Sequence, residues 1–465
     1  MAQEPEKQDK AQKAPPAQEK EKASEKKKVE APPIEETIET LMDYGGFDLI
    51  KDTIDGVGSM DPESRARKNI FMTDASKKSE RTKLKNILNL WIDIVSENED
   101  VATMVTTSQE KASSSTKVLN ENLKKVVKET RELETNYRSL ALFYKNAEKD
   151  KLRNITIFNV DPDKLKDMEN TLVIDKITDE LKQNYDRLDL RGNYSMLVLP
   201  GYLGSNAAIE KWSKIAYDNK VMLITDFMHL DDPEAVIDEY DMAGLAGGEI
   251  FKSNAILTCN WIVGRKKYEE LDEEEHIYVP PSTALAGKIY STLIAQPVAG
   301  KMHGGLTDVN GVSFELRKSE ISELERRGLV PMVFEWGKVM GMSAKTLYNG
   351  NDIGLQTYSV VRVFDYVAKV IIDFLNRQAF VNWSVKVESD VKKELSRFLN
   401  SITGSSKIIE SFQIVDLRQD PETKIIHLDL HLTPFFPAKS FLLRLGGTKG
   451  NTAEEWKAEY SENKS

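Results

Sequence analysis

The chain has 465 residues, 40% of them hydrophobic and 30% charged, the make-up of a globular protein of roughly two to four domains. Its 64 basic and 75 acidic residues leave a net charge of −11, which argues against nucleic acid as the main partner. One cysteine, Cys259, and five histidines exclude an internal disulfide scaffold and leave little material for a metal enzyme or a cysteine hydrolase. No apolar run of about 18 residues is present to span a membrane. The opening MAQEPEKQDK has no apolar stretch behind it, so no secretory signal is expected and a cytoplasmic location is.

Residues 1–33 are Lys, Glu, Ala, Gln and Pro without an aromatic, a disordered charged tail that serves as a flexible tether or simply solubilises the chain. From Ile34 to residue 154 the pattern is helical. Ile34, Ile38 and Leu41 share a face before Gly45 and Gly46, and Phe47, Ile50 and Ile54 resume it. Leu84, Ile87, Leu88, Trp91 and Val95 mark a second helix. Leu119, Leu123, Val126, Leu133, Tyr137, Leu140 and Tyr144 mark a longer third, with the Ser/Thr-rich TTSQEKASSST between them expected as a loop.

The period changes near residue 155. Short β-rich runs appear at ITIFNV (155–160), SMLVLP (195–200), VMLITDF (221–227) and AILTCNW (255–261), with a helix at AAIEKWSKIAYDN (207–219). Apolar strands alternating with helices predict a central α/β domain over 155–327 with parallel pairing. The segment IYVPPSTALAGKIYSTLIAQPVAG, from Ile277 to Gly300, carries no His, Cys, Asp or Glu. Pro280 and Pro281 make its backbone extended there, and Ala284, Ala286 and Gly287 permit close backbone approach, so it is built to pack against something.

A mixed α+β domain is expected over 328–445. Val360, Val363, Phe364, Val367, Ile371 and Phe374 predict one helix, and Val391, Leu395, Phe398 and Ile402 another. Strands follow at FQIVDL (412–417), IIHLDLHL (425–432) and SFLLRL (440–445), and 446–465 reads as a flexible tail. The fold class is thus mixed α/β and α+β behind a helical N-terminal section.

Chemistry-bearing residues are sparse. His427, Asp429 and His431 alternate along a strand and share one face, as a metal site or any solvated face would require. Asp226 ends an apolar strand, where open α/β sheets place ligand groups, and His229 follows three residues later. The two could serve acid–base chemistry, or Asp226 could cap a helix. Cys259 lies in an apolar strand and reads as a core thiol. The glycines of AGLAGGE and RLGGTKGN match neither phosphate-binding spacing, and no cofactor is indicated.

Three segments resemble contractile-sheath proteins. IYVPPSTALAGKIYSTLIAQPVAG is similar to the "PPS…AG…PAG" segment of phage-tail and type VI sheath subunits. The stretch from Gly328 to Leu445 follows the order of that superfamily's C-terminal domain. It runs through GLVPMVFEWGKVMGMSAKTL, the helix SVVRVFDYVAKVIIDFL, then FVNWSVKVESDVKKELSRFLNSI, and closes on HLDLHLTPFFPAKSFLLRL. ELETNYRSLALFYKNAEKDKLRNITIFNVDPDKLKDME (132–169) resembles the large sheath subunit of type VI secretion systems, the TssC/VipB family, with Tyr137 where a Trp is usual.

The resemblance implies a structural subunit with no catalytic residues. It implies pairing with a small sheath subunit, and stacking with neighbouring large subunits in a contractile helical tube around an inner tube on a baseplate. It also implies recycling by an AAA+ unfoldase, for which Ile34, Ile38, Leu41 and Met42 are the candidate contacts. No nucleic acid and no membrane insertion are expected. The alternatives are the sheath of a phage tail or related injection particle, and an α/β enzyme using Asp226 and His229.

Overall fold

The computed structural model describes residues 67, 70–97, 100–147, 152, 154–420, 422–438, 442–448 and 455–461. The expected helices around Ile34, Ile38, Leu41, Met42 and Phe47 lie outside these residues. The chain divides into two compact units, Met1–Ser114 and Ser115–Ser465.

In the first unit α1 spans Lys78–Glu97 and α2 begins at Val101, continuing to Glu129. Asp100 caps α2 by accepting the Thr103 N–H at 2.8 Å and its hydroxyl at 2.9 Å. The stretch TTSQEKASSST is therefore helix, not loop. It contains no Gly or Pro to stop propagation, and its hydroxyls fold back onto the preceding turn: Thr106 Oγ1 donates to the Ala102 carbonyl and Ser108 Oγ to that of Met104. The α1 residues Leu84, Ile87, Leu88, Trp91 and Val95 form a helical stripe as the periodicity predicts, and every one of them is exposed.

The second unit carries the sheet. The expected third helix is two, because Thr130 (φ −99°, ψ 3°) separates α2 from α3 (Arg131–Asn146). ITIFNV is not a strand: residues 154–161 have no regular structure, and Ile155, Ile157 and Phe158 are exposed. The other three central strands form as expected. β1 (Met196–Leu199), β2 (Met222–Asp226) and β3 (Ala255–Cys259) pair in parallel, with α4 (Leu172–Tyr185) ahead of β1 and α5 (Asn206–Asp218) between β1 and β2.

After the hairpin β4 (Ile262–Arg265) and β5 (Ile277–Val279), the helix α6 spans Ser282–Ser291. Strand β6 (Leu329–Glu335) then joins β3 in parallel, and β7 (Lys338–Gly341) pairs back on it, giving the order β1-β2-β3-β6-β7. Shorter helices occupy Pro162–Lys166, Pro233–Met242, Gly300–His303 and Lys318–Arg326.

Alternate side chains of the sheet feed two cores. Leu223 and Leu257 face one, with Ile174 and Leu181 of α4 and the fully buried Trp212 of α5. Met222, Ile224 and Ile256 face the other, with Leu142 of α3 and Ala284, Leu285 and Ile289 of α6. A sheet covered on both faces explains why its strands read as unbroken apolar runs. Each fully buried aliphatic side chain contributes about 1.5–3 kcal/mol.

Beyond the sheet, α7 (Tyr358–Arg377) and α8 (Val385–Ile402) pack Val363, Val367, Val391 and Leu395 against the hairpin β8 (Ile409–Gln419) and β9 (Ile426–Pro434). A register shift between Ile414 and Asp416 turns Val415 outward, so that Phe412, Ile414 and Leu417 all reach the core. The end of the chain departs from the expected flexible tail. β10 (Leu442–Thr448) runs past residue 446 and pairs antiparallel with β11 (Glu455–Ser461), in register from Leu442 opposite Ser461 to Thr448 opposite Glu455.

α3 and α6 approach each other closely. The buried face of α3 is Ser139, Leu142 and Asn146, two of the three polar, while Leu133, Tyr137 and Leu140 point outward. Ser139 Oγ lies 3.2 Å from Thr283 Oγ1, and a Cβ on Gly287 would sit 2.3 Å from the Phe143 carbonyl oxygen. Gly287→Val is expected to push the two helices apart and destabilise the chain by about 1–3 kcal/mol, measured as a lower urea midpoint with an unchanged slope.

Candidate functional site

The segment Ile277–Gly300 does pack closely, and its partner is the chain's own sheet and α3. The backbone is extended through β5, but the extension expected at both prolines ends before Pro281, because a φ near −65° serves the start of a helix as well as an extended chain. Pro281 (φ −67°, ψ −22°) then opens α6, because proline fits the start of a helix. What holds that start is the carboxylate of Asp226, at the C-terminal end of β2 and fully buried. It accepts the Ser282 N–H at 2.8 Å, the Ser282 hydroxyl at 2.5 Å, the Thr258 hydroxyl at 2.5 Å and the Gly201 N–H at 2.8 Å. Donors from the loop after β1, from β3 and from α6 thus converge on one side chain. Burial pushes the Asp226 carboxyl up to about 6, against the downward pull of Ser282, Thr258 and Gly201.

Asp226 is therefore a capping residue, though the helix it caps begins 56 residues later. His229 makes no bond to it. Its Nε2 lies 3.1 Å from Ser313 Oγ, and its ring packs between Trp261 and Tyr278 at centroid distances of 5.3 and 4.6 Å. Burial lowers its pKa, against the nearby charges of Asp231 and Glu275. The acid–base pair considered from sequence is not assembled.

A second junction ties α3 to the β4–β5 hairpin. Arg265, buried at the end of β4, forks onto Glu273 with bonds of 2.7 and 2.9 Å and donates from Nε to Glu134 of α3 at 2.9 Å. Arg138 reaches Glu134 at 2.7 Å, and Arg131 reaches Glu273 at 2.9 Å. Hydrogen bonds from Arg265 and Arg138 outweigh burial and lower the Glu134 pKa, and Arg265 does the same for Glu273. Sequence reading missed this network. Glu273 lies in LDEEEH, where nothing distinguishes the one buried carboxylate from its neighbours.

The remaining candidates are quickly placed. His427, Asp429 and His431 do share a face, and it is the exposed one, with Arg418 directly opposite His427. A guanidinium at that position disfavours a metal cation. Among the described residues no group of three or more His, Cys, Asp or Glu side chains is placed to hold a metal ion. Cys259 is buried in β3, and burial raises its pKa. No described helix is long and apolar enough to cross a membrane.

Two surfaces remain open. The exposed apolar residues of α1, α2 and α3 form stripes on each helix. β8–β9 and β10–β11 are two-stranded sheets, so among the described residues the outer backbone edge of each strand has no strand beside it. A covered carboxylate in the central sheet and open strand edges in the two hairpins suit a building block.

Comparison with known proteins agrees. Three family models match in series: the TssC/VipB-like N-terminal region over residues 34–123, the type VI secretion system TssC/VipB central domain over 125–349, and the TssC/VipB-like C-terminal domain over 357–462. The chain belongs to the TssC/VipB family. As a TssC/VipB protein it is a contractile-sheath subunit of the type VI secretion kind, a structural protein related to phage-tail sheaths.

Among solved structures, this TssC/VipB chain is similar to one from the anti-feeding prophage baseplate, at 14% identity and TM-score 0.48, covering 67% of this chain and 80% of that one. It is also similar to the anti-feeding prophage helical sheath in its contracted state, at 14% identity and TM-score 0.46, covering 65% and 79%. The sheath tail protein of Desulfitobacterium hafniense matches at 9% identity and TM-score 0.39, over 63% and 60%. No curated protein matches the chain.

Asp226→Asn replaces an acceptor of four donors by an amide that must itself donate, and is expected to cost roughly 2–4 kcal/mol. Asp226 binds its proton more tightly in the folded chain (about 6) than an ordinary aspartate does (3.8), so the stability it contributes is greatest in acid. That stability falls as pH rises from 3.8 to about 6. The Asn variant should lose this slope, which urea unfolding across pH 3.5–7.5 reads directly.

Proposed function

We propose that this protein is the large sheath subunit of a type VI secretion system. It pairs with a small sheath subunit, stacks with its own copies around an inner tube on a baseplate, and contracts to drive effector delivery. The observation that carries this is the ordered match of all three TssC/VipB regions, including the helical N-terminal one. The geometry supports it. Exposed apolar stripes on α1, α2 and α3 suit a protein whose helices are completed by another chain. The hairpins β8–β9 and β10–β11 offer backbone edges to which a neighbour's extended segment adds a strand. Backbone pairing of that kind survives rotation of the domains it links, so the lattice passes between two packings without losing its connections.

The role is mechanical rather than enzymatic. Both oxygens of Asp226 are engaged by protein donors, and His229 bonds elsewhere, so neither is presented to a substrate. The working location is the cytoplasm, in keeping with one buried cysteine and no described membrane-crossing helix. After contraction, an AAA+ unfoldase engages the segment around Ile34, Ile38, Leu41 and Met42, whose spacing presents apolar anchors to a groove.

Two experiments test this. Negative-stain electron microscopy of the chain co-expressed with the neighbouring small-subunit gene should show long tubes that appear only when both chains are present. Discrete particles from this chain alone, unchanged by the partner, would overturn the reading. Deleting residues 1–46 should leave tube assembly intact and abolish unfoldase-driven disassembly of contracted tubes. Disassembly at the wild-type rate would remove the unfoldase contact from the proposal.

A further inference from the structure

A cavity of about 410 Å³ lies between α7 and the segment that leads into β1. Its apolar walls include Tyr194, Met222, Ile294 and Val370, and its charges come mainly from α7. Most of those charges are answered. Asp373 accepts from Arg377 and from the Leu190 N–H at 2.9 Å, and Arg191 at the rim is held by Asp189. Lys369 donates to the Tyr194 carbonyl at 2.8 Å, and Asp365 accepts from Asn254 at 2.7 Å.

Arg362 is the exception. It lines the cavity with 8% of its surface exposed, and its Nη1 has no acceptor among the described residues. Asn193, on the same wall, holds a buried Oδ1 that is likewise unpartnered, and a half-turn of its amide would present a donor instead. Burial drags the Arg362 guanidinium down to about 10 and Lys369 to about 8, the cost of keeping cations in this space. A buried donor without an acceptor is rare in native proteins and marks a place where a further group completes the bond. A buried charge without a counter-charge is rarer still.

We infer that this cavity is a binding site for a carboxylate on an apolar stem, with Arg362 as its principal ligand and Lys369 and Lys220 adding to the field. The charges select an anion, since Arg191, Lys220, Arg362, Lys369 and Arg377 line the cavity against only Asp365 and Asp373, and inorganic phosphate, which has no stem, would leave the apolar walls uncovered. The walls select the stem, because Met222, Ile294 and Val370 offer it nothing but apolar surface. The carboxylate comes either from a small organic acid or from an acidic side chain of a neighbouring chain. The inference stands independently of the sheath reading.

The test is thermal unfolding of the full-length chain titrated with sodium butyrate, against sodium chloride and sodium phosphate at matched ionic strength. Butyrate should raise the midpoint by about 2 °C or more over chloride, and phosphate should not. Arg362→Met should keep or raise the unliganded midpoint, since it removes an uncompensated buried charge at similar volume, and should lose the butyrate increment. A wild-type chain that responds to butyrate no more than to chloride overturns the proposal, as does an increment that survives in Arg362→Met. An increment given by phosphate but not butyrate overturns it as well. Repeated on any assembly the chain forms with its partners, the titration separates the sources. A persisting increment identifies a free small acid, and its disappearance on assembly identifies a neighbour's carboxylate already in place.

Discussion

One buried carboxylate sets the geometry of the central domain. Asp226 gathers donors from the loop after β1, from β3 and from the first turn of α6, and so fixes the helix that packs on α3 relative to the sheet. Buried charge is tolerated only when its lone pairs are filled, and here all the geometry around the strand ends serves to fill them. Once α6 is fixed, Gly287 can approach the backbone of α3 at a distance no side chain would allow. Once α3 is seated, Glu134 reaches Arg265. The sheet, the two helices and the β4–β5 hairpin then form one body.

That rigidity contrasts with the rest of the described chain. The core is bonded internally through side chains, whereas the hairpins present backbone edges and the N-terminal helices present apolar stripes. The sheath role proposed above calls for both: an interior that does not yield, and connections that can bend without breaking. Interiors packed like crystals pass a displacement on rather than absorb it, and paired strands hold through many parallel hydrogen bonds. The strand ends where an α/β enzyme would keep its site open are instead closed by Pro281, Ser282 and the Asp226 bonds.

Much of the fold was legible in the sequence, for identifiable reasons. β1, β2 and β3 were apolar runs because both faces of their sheet are covered, and α8 carried a clear helical period because one face of it is buried, as α7 did beyond its first turns, where Tyr358–Val363 are buried all round. The misreadings also have causes. TTSQEKASSST resembles a loop by composition, but its hydroxyls bond within the helix. ITIFNV has strand composition but pairs with no strand among the described residues. In α3 the apolar period was real but marked the outward face, since the inner face needed Ser139 and Asn146 for close approach. Of the candidate site, Asp226 was found and its capping role weighed, but the capped helix could not be named, because nothing local links residue 226 to residue 282. The Arg265 network and the Arg362 cavity were invisible, being products of burial rather than of motif.

The separation between Asp226 and the helix it holds has a consequence for how the protein is made. At about 5–20 residues per second, a ribosome needs roughly 3–11 s to add the 56 residues between Asp226 and Ser282. During that interval β1, β2 and β3 can meet while two of the four donors to the carboxylate are still missing, so the charge must keep its water. The sheet's second face stays bare until α6 emerges, and its neighbour β6 does not begin until Leu329. The nascent chain therefore carries an apolar surface and a hydrated acid side by side until α6 emerges.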